Sequence, residues 1–221
     1  GDFSTAHQVA DDPLSTARAF YDAGARYIHM VDLDGAKDGV RQNSAIVAAV
    51  AKIGLRVELG GGIRSKDDLR AVFGMGVWRA VIGSAAVTDP GFVRQAVTEY
   101  GPERIAVGID TRDGKVKTAG WVEDSGLDYL EFASQVAAIG VKKIIFTDIA
   151  TDGTLEGPAY DRLAALQTHV NCDIIASGGV SCSEDIVRLR DMGMYGAIVG
   201  KAYYAGTVDL ARAVKEAGEQ C

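Results

Sequence analysis

Two glycine pairs in this sequence are placed where each could help to bind a phosphate group. Gly61-Gly62 is followed by Gly83-Ser84, and Gly178-Gly179 is followed at the same spacing by Gly200-Lys201. Glycines at a turn from strand to helix let backbone N–H groups approach an anion, and the helix dipole adds to the attraction. Arg64 and Lys201 could each add a positive charge. The pattern predicts two anion-binding corners and a ligand phosphorylated at both ends; glycines that only permit tight turns, and cations that only face solvent, are the alternatives.

Asp110 is the first choice for a general acid or base. It follows the predicted strand Ile105–Ile109, between the two corners, where the middle of a doubly phosphorylated ligand would lie. Thr147 ends another predicted strand and could orient a substrate hydroxyl. Other aspartates at strand ends compete with Asp110, although such residues commonly cap turns and helices: Asp32, Asp34, Asp148 and Asp152.

Trp121 lies in a stretch rich in glycine and charge, residues 114–126, which we expect to form a long loop over the site. A large aromatic side chain there could stack on a planar ring and exclude water, or it could simply pack against its own loop. The histidines His7, His29 and His169 have no spacing that indicates a metal site or a triad, and we expect core or surface roles for them.

An internal repeat explains why the glycine pairs occur twice. Residues 61–86 and 178–203 share eight identities over 26 gapless positions, whereas average residue usage would give roughly one or two. We therefore predict two similar halves, about 1–102 and 103–221, within a single domain.

Alternating strands and helices predict an α/β fold with a parallel sheet. Seven strands are predicted: Tyr27–Val31, Arg56–Leu59, Ala80–Ile82, Ile105–Ile109, Lys143–Thr147, Asp173–Ala176 and Ala197–Val199. Eight helices are predicted to begin near Leu14, Ser44, Lys66, Gly91, Leu127, Ala159, Ser183 and Val208. In the repeat, Gly1-Asp2-Phe3 matches Gly120-Trp121, so the partner of strand 105–109 would precede residue 1. We expect a (β/α)₈ barrel of two fused half-barrels whose first strand is absent from this chain.

Composition narrows the possible partners. The 221 residues are 48% hydrophobic and 24% charged, with a net charge of −7, which argues against nucleic acid or an anionic membrane as partner. No apolar run approaches the roughly 18 residues of a membrane span, and residues 1–20 lack the pattern of an export signal. Three cysteines without zinc spacing (Cys172, Cys182 and Cys221) suit reduced thiols. We expect a cytoplasmic monomer without a metal.

Four motifs together resemble one enzyme family, and the resemblance runs from residue 1 to about residue 215. The sequence is similar to the phosphoribosylformimino-aminoimidazole carboxamide ribotide isomerases of histidine biosynthesis at Val31–Ala36, Glu58–Ser65, Thr147–Ile149 with Asp152–Leu155, and Ala176–Ser181. The resemblance implies a (β/α)₈ barrel of two fused half-barrels. It also implies an Amadori rearrangement of an aminoaldose to an aminoketose, without metal or organic cofactor.

The resemblance also implies roles for individual residues. Members of the family use one aspartate at the end of strand 1 and one at the end of strand 5, and the strand-5 carboxylate falls on Asp110. Thr147 takes a supporting role near the ribose, and Trp121 takes a stacking role. We also expect Asp152 to be among the residues that bind the substrate. The strand-1 aspartate has no counterpart here, because the corresponding strand would precede Gly1.

Three other functions remain open at this stage. The sister cyclase of the same pathway shares the repeat and both phosphate corners, although Asp32–Gly35 and Gly200–Ala202 resemble the isomerase more closely. A dual-substrate isomerase would also act on phosphoribosylanthranilate. A barrel that binds phosphosugars without turnover is the alternative outside enzymes.

Overall fold

The part of the protein that the structure describes has one sheet of nine strands, seven of which are parallel. The computed structural model describes residues 12–218, in which the strands follow the order β1-β2-β3-β4-β7-β8-β9. Each of the seven predicted strands has a counterpart: β1 Tyr27–Val31, β2 Arg56–Gly60, β3 Arg79–Ile82, β4 Ile105–Arg112, β7 Lys143–Asp148, β8 Asp173–Ser177 and β9 Gly196–Ala197. The last is shorter than predicted and shares only Ala197 with the expected strand Ala197–Val199. The remaining two, β5 Lys115–Thr118 and β6 Glu123–Asp128, are antiparallel and extend from β4.

Helices follow the strands in the order expected of βα units. The eight predicted helices all begin within two residues of the expected positions: α1 Pro13–Asp22, α3 Ser44–Ala51, α4 Lys66–Gly74, α6 Pro90–Tyr100, α7 Tyr129–Ala138, α8 Tyr160–His169, α9 Ser183–Asp191 and α11 Leu210–Gly218. Three short helices were not predicted: α2 Leu33–Asp38, α5 Ser84–Thr88 and α10 Lys201–Tyr204. One residue separates α2 from β1 and α5 from β3, and three residues separate α10 from β9. They are too short to show a helical period in the sequence.

The sheet has two apolar faces, one covered by helices and one enclosed by the sheet itself. Ile105, Val107 and Ile109 of β4 belong to the large core beneath the helices. A second core lies on the opposite face and consists of side chains from five strands or their ends: Val81, Ala106, Ile145, Ile175 and Ile198. A sheet that buries both faces and curls around its own small core confirms the α/β barrel class.

Within residues 12–218, β1 and β9 each pair with a single strand. A strand before residue 1 therefore stays a prediction, as does the division into halves at about residue 102. The predicted match of Gly1-Asp2-Phe3 to Gly120-Trp121, along with His7 and Cys221, lies outside the described residues.

The glycine pairs of the repeat have a packing requirement of their own. Gly61 has φ +99° and lies so close to the loop after β1 that a Cβ atom would sit 2.2 Å from the carbonyl oxygen of Asp32. In the second half, Gly179 has φ +85°, and a Cβ atom there would sit 2.2 Å from the carbonyl oxygen of Gly157. Both positions therefore need glycine whether or not a phosphate binds.

Candidate active site

Three polar side chains lie next to each other at the carboxyl ends of neighbouring strands. Asp110 on β4 is in register with Thr147 on β7, and Thr147 is in register with Ser177 on β8. Their preceding neighbours Ile109 and Phe146 point into the outer core, so alternation directs Asp110 and Thr147 to the barrel interior. This end of a parallel barrel is where active sites form.

A cavity of about 280 Å³ opens near the ends of β7, β8 and β9, and of the three residues only Ser177 lines it. Five of the residues predicted to bind substrate line it, together with Ser177: Asp152, Gly178, Gly179, Gly200 and Lys201. The structure thus brings the second predicted corner together in one place.

Lys201 and Asp152 give this cavity its charges. The Lys201 ammonium donates a hydrogen bond to the carbonyl oxygen of Gly153 at 2.6 Å, and the side chain is otherwise exposed. Burial raises the pKa of Asp152 above its ordinary value, while the charge of Lys201 acts in the opposite direction. A carboxyl group with a raised pKa beside a cation is suited to proton transfer.

The first corner is arranged differently from the second. The Ser84 hydroxyl accepts a hydrogen bond at 2.9 Å from the backbone N–H of Ala119, so the segment after β5 lies against this corner. Arg64 is exposed, and its guanidinium donates to the carbonyl oxygen of Ala36 at 2.9 Å. An anion near Gly61-Gly62 would therefore compete with Ala36 for Arg64.

Asp110 is covered by Trp121, whose indole Nε1 donates a hydrogen bond to Asp110 Oδ2 at 2.8 Å. Burial raises the pKa of Asp110, although hydrogen bonds from Trp121 and Thr147 and the charge of His29 act to lower it. The negative charge of Asp152 also acts to raise the pKa of Asp110. A carboxyl group with a raised pKa at this position suits a general acid or base.

The segment that carries Trp121 is a hairpin, which corrects the prediction of a long loop over 114–126. Strands β4 and β5 are joined by Asp113-Gly114, with φ of +53° and +76°, and Arg112 is in register with Lys115. An Asp-Gly pair is a common two-residue hairpin turn, so this signal was present in the sequence. A second turn, between β5 and β6, forms the hairpin tip. There the backbones of Ala119, Gly120 and Trp121 are all left-handed, with φ of +52°, +67° and +76°.

Two of the competing aspartates have structural roles. Asp32 caps α2 by accepting from the N–H of Gly35 at 2.9 Å, and it accepts from the N–H of Asn43 at 3.0 Å. Asp148 accepts from the N–H of Ala150 at 2.9 Å and pairs with Arg162. The capping interpretation therefore holds for both. The third competitor, Asp34, lies in the first turn of α2, and Asp152 lines the cavity.

Sequence reasoning missed a group of charged residues inside the barrel. His29 Nδ1 lies 2.9 Å from Glu58 Oε1, and Arg79 Nη1 lies 2.9 Å from Glu58 Oε2. The three residues stand on separate strands far apart in the chain, so no local motif marks them. Across residues 12–218, no group of three or more His, Cys, Asp or Glu side chains is arranged to hold a metal ion. In the same part of the chain, no helix is long and apolar enough to cross a membrane.

The sequence profile of the family described as "histidine biosynthesis protein" matches residues 1–209. The chain belongs to this family. Its members include curated relatives from Clostridium botulinum strain Hall, Clostridium beijerinckii and Listeria welshimeri, at 45%, 48% and 48% identity. The aligned regions cover 97%, 97% and 95% of this chain, and 89%, 90% and 88% of the respective relatives.

All three relatives carry the same name, 1-(5-phosphoribosyl)-5-((5-phosphoribosylamino)methylideneamino)imidazole-4-carboxamide isomerase. The family resemblance inferred from the four motifs is thereby confirmed. The substrate in that name contains two phosphoribosyl groups.

Proposed function

We propose that this chain is the isomerase of histidine biosynthesis that its relatives are named for, acting on the same doubly phosphorylated ribotide. The observation that carries the proposal is the position of Asp110, a carboxyl group with a raised pKa. It is in register through Thr147 with Ser177, which lines a cavity together with Gly178, Gly179 and Lys201. The reaction converts an aminoaldose into an aminoketose by an Amadori rearrangement. No metal or organic cofactor is required for it.

The two corners would hold the two phosphates. In the second corner, Gly178-Gly179 and Gly200 line the cavity, and Lys201 can turn from the carbonyl oxygen of Gly153 to an anion. In the first corner, Gly61-Gly62 and Gly83-Ser84 follow the adjacent strands β2 and β3. Holding both ends of the substrate would fix the ribose near Asp110, which lowers the entropic part of the barrier.

The chemistry requires proton transfers at four atoms: the ring oxygen, C2, C1 and the oxygen on C2. Protonation of the ring oxygen lets the C1–O bond break, which opens the aminoaldose to an imine between C1 and nitrogen. Removal of the proton from C2 then gives an enolamine, and protonation at C1 with loss of the O2 proton gives the ketone at C2. One group must donate a proton and another must accept one.

Asp110 and Asp152 fit these two tasks. Asp110 would be the base that removes the C2 proton: burial raises its pKa toward the range of a base that works near neutral pH, and hydrogen bonds from Trp121 and Thr147 oppose part of that rise. Burial favours the protonated form of Asp152, which suits the acid at the ring oxygen. Thr147 lies in register with Asp110 and would orient a ribose hydroxyl, and Trp121 would leave Asp110 to stack on the imidazole ring.

The test is an isomerase assay with Asp110→Asn and a matched control. Asp89→Asn is the control, because Asp89 caps α6 through the N–H of Phe92 and asparagine caps equally well. We expect Asp110→Asn to lower kcat by about 10²–10⁴-fold while the Kd for substrate changes little, and Asp89→Asn to match the wild type. Near-full kcat in Asp110→Asn would overturn the assignment. We further propose that the protein is cytoplasmic and monomeric. Light scattering after size-exclusion chromatography tests the oligomeric state.

A further inference from the structure

The two copies of the repeat share one aspartate that the proposed reaction does not use. Asp68 and Asp185 occupy the same position in the copies 61–86 and 178–203, and among the eight identities theirs is the only ionisable side chain. Each lies in the first turn of the helix that follows a glycine pair, Asp68 in α4 and Asp185 in α9. A negative charge behind an anion-binding corner opposes binding by Coulomb repulsion, so these carboxylates need a geometric reason.

In the second half, Asp185 joins the turn after β8 to the segment after β7. Its Oδ2 atom accepts hydrogen bonds from the N–H and the hydroxyl of Ser181, at 2.8 and 2.7 Å. Its Oδ1 atom accepts from the Tyr160 hydroxyl at 2.6 Å. Close to these bonds in the chain, the N–H of Gly157 donates to the carbonyl oxygen of Gly179 at 3.0 Å. The turn at Gly179 is thus held against that segment by two separate contacts.

The first half has the same arrangement with a different partner. The Oδ2 atom of Asp68 accepts from the N–H of Arg64 at 3.1 Å and from the hydroxyl of Ser65 at 2.7 Å. Its Oδ1 atom accepts from Arg41 Nη2 at 2.9 Å, and Arg41 Nη1 donates to the carbonyl oxygen of Gly62 at 3.0 Å. Arg41, in the segment after β1, therefore makes both of the contacts for which the second half uses two residues.

Both carboxylates are ionised near neutral pH, and both glycine turns keep a free donor. Burial acts to raise the pKa of Asp68 and of Asp185, but the hydrogen bonds that they accept lower both pKa values below the ordinary one. Among residues 12–218, the N–H groups of Gly62 and Gly179 donate no hydrogen bond within the protein. A turn that is held in place with an N–H group left over is preorganised for an anion.

We propose that Asp68 and Asp185 are positioning residues of the two anion corners: each carboxylate ties the glycine pair of its own half to the segment after the preceding strand, in the conformation that a phosphate group requires. Neither residue touches the reacting atoms, and each acts through its glycine turn. That the corners receive the phosphates of the substrate rests on the proposed function. The effect of each carboxylate on its own corner can be measured with inorganic phosphate alone.

Phosphate titrations of the complete chain test this role, with the amide NMR signals of Gly62 and Gly179 as reporters of the two corners. In Asp185→Asn, the Kd for inorganic phosphate measured at Gly179 should rise about tenfold, the equivalent of about one hydrogen bond, while the Kd measured at Gly62 stays unchanged. Asp68→Asn should give the reverse pattern. In the isomerase assay, each variant should raise KM by about the same factor with little change in kcat.

The direction of the change separates positioning from charge. Loss of a negative charge near a phosphate would by itself tighten binding, so a weaker corner reports lost geometry. Asp67→Asn and Asp161→Asn are the matched controls, because each removes an exposed carboxylate from the position next to Asp68 or Tyr160. Both controls should leave the two Kd values unchanged.

The proposal is wrong if either variant leaves its own corner unchanged or tighter, or weakens the other corner equally. Should Asp185→Asn fail to fold, Tyr160→Phe decides in its place. It removes one donor to Asp185 without changing any charge, so binding at Gly179 alone should weaken by about threefold, and an unchanged Kd overturns the proposal.

Two outcomes in the wild type keep the failures apart. If both reporter signals respond to phosphate in the wild type and the variants bind as tightly, only the positioning role fails. If neither signal responds to phosphate in the wild type, the positioning role fails together with the two phosphate corners of the proposed function.

Discussion

Substitution of Trp121 by phenylalanine should release the hairpin tip from the active site. The indole N–H of Trp121 bonds to Asp110 Oδ2 at 2.8 Å, and phenylalanine keeps the ring but has no donor. The same tip is also attached at Ala119, whose N–H bonds to the Ser84 hydroxyl at 2.9 Å. The substitution therefore removes one of two named attachments and leaves the other as a reporter.

The size of the effect follows from two opposing terms. A hydrogen bond to a carboxylate contributes about 1.5–3 kcal/mol. Ala119 and Trp121 both adopt left-handed backbone angles, which cost non-glycine residues roughly 1–2 kcal/mol each. The two terms are of similar size, so the closed position of the tip is only marginally favoured. Loss of the indole bond should shift the equilibrium toward opening by between about 10-fold and 150-fold.

Hydrogen exchange at the Ala119 amide measures this opening directly. We expect exchange in Trp121→Phe to be faster by about that factor, while amides of β4 and β7 keep their protection. Trp78→Phe is the matched control, because the buried Nε1 of Trp78 has no acceptor among the described residues. Unchanged Ala119 exchange in Trp121→Phe, or equal acceleration in Trp78→Phe, would refute the reasoning.

Two further predictions concern stability. Gly179→Ala should lower the free energy of unfolding by at least about 2 kcal/mol and the Tm by several degrees, because φ is +85° and the new Cβ meets the carbonyl oxygen of Gly157. Gly200→Ala, where nothing lies within 4 Å, should cost about 1 kcal/mol or less; equal losses in thermal melts would contradict the packing argument. Asp110→Asn should be more stable than wild type at pH 7, because burial raises the pKa of Asp110 and its ionisation then costs about 1.4 kcal/mol for each unit of that rise. The gain should shrink as the pH falls toward the ordinary aspartate value of 3.8, and denaturant titrations at several pH values would show no such trend if Asp110 were free in solvent.

The fold was predictable from the sequence because its strands carry their own signals. Runs such as Lys143–Thr147 are short, apolar and β-branched, and they recur between helical segments at the spacing of βα units. Strand β6, Glu123–Asp128, has none of these properties, since acidic residues, serine and glycine are poor strand formers. It is a strand because it pairs with β5, which the Asp113-Gly114 turn folds back against β4. The tip between β5 and β6 is held by hydrogen bonds to Asp110 and Ser84.

The candidate site was predictable where a repeated motif marked it. Gly178, Gly179, Gly200 and Lys201 line one cavity, as the second copy of the repeat indicated. The His29–Glu58–Arg79 chain was not predictable, because the three residues meet only through the register of β1, β2 and β3. For the same reason, the sequence did not show that Arg64 bonds to Ala36.

Calorimetry with Lys201→Met tests the central claim, that two separate corners hold the two ends of one substrate. Three ligands are needed: the doubly phosphorylated product and two analogues, each lacking one phosphate. Lys201 borders only the cavity beside Gly178 and Gly200. The substitution should therefore weaken binding of the product by about tenfold, and it should weaken binding of only one of the two analogues. Equal weakening of both analogues, or of neither, would contradict the account.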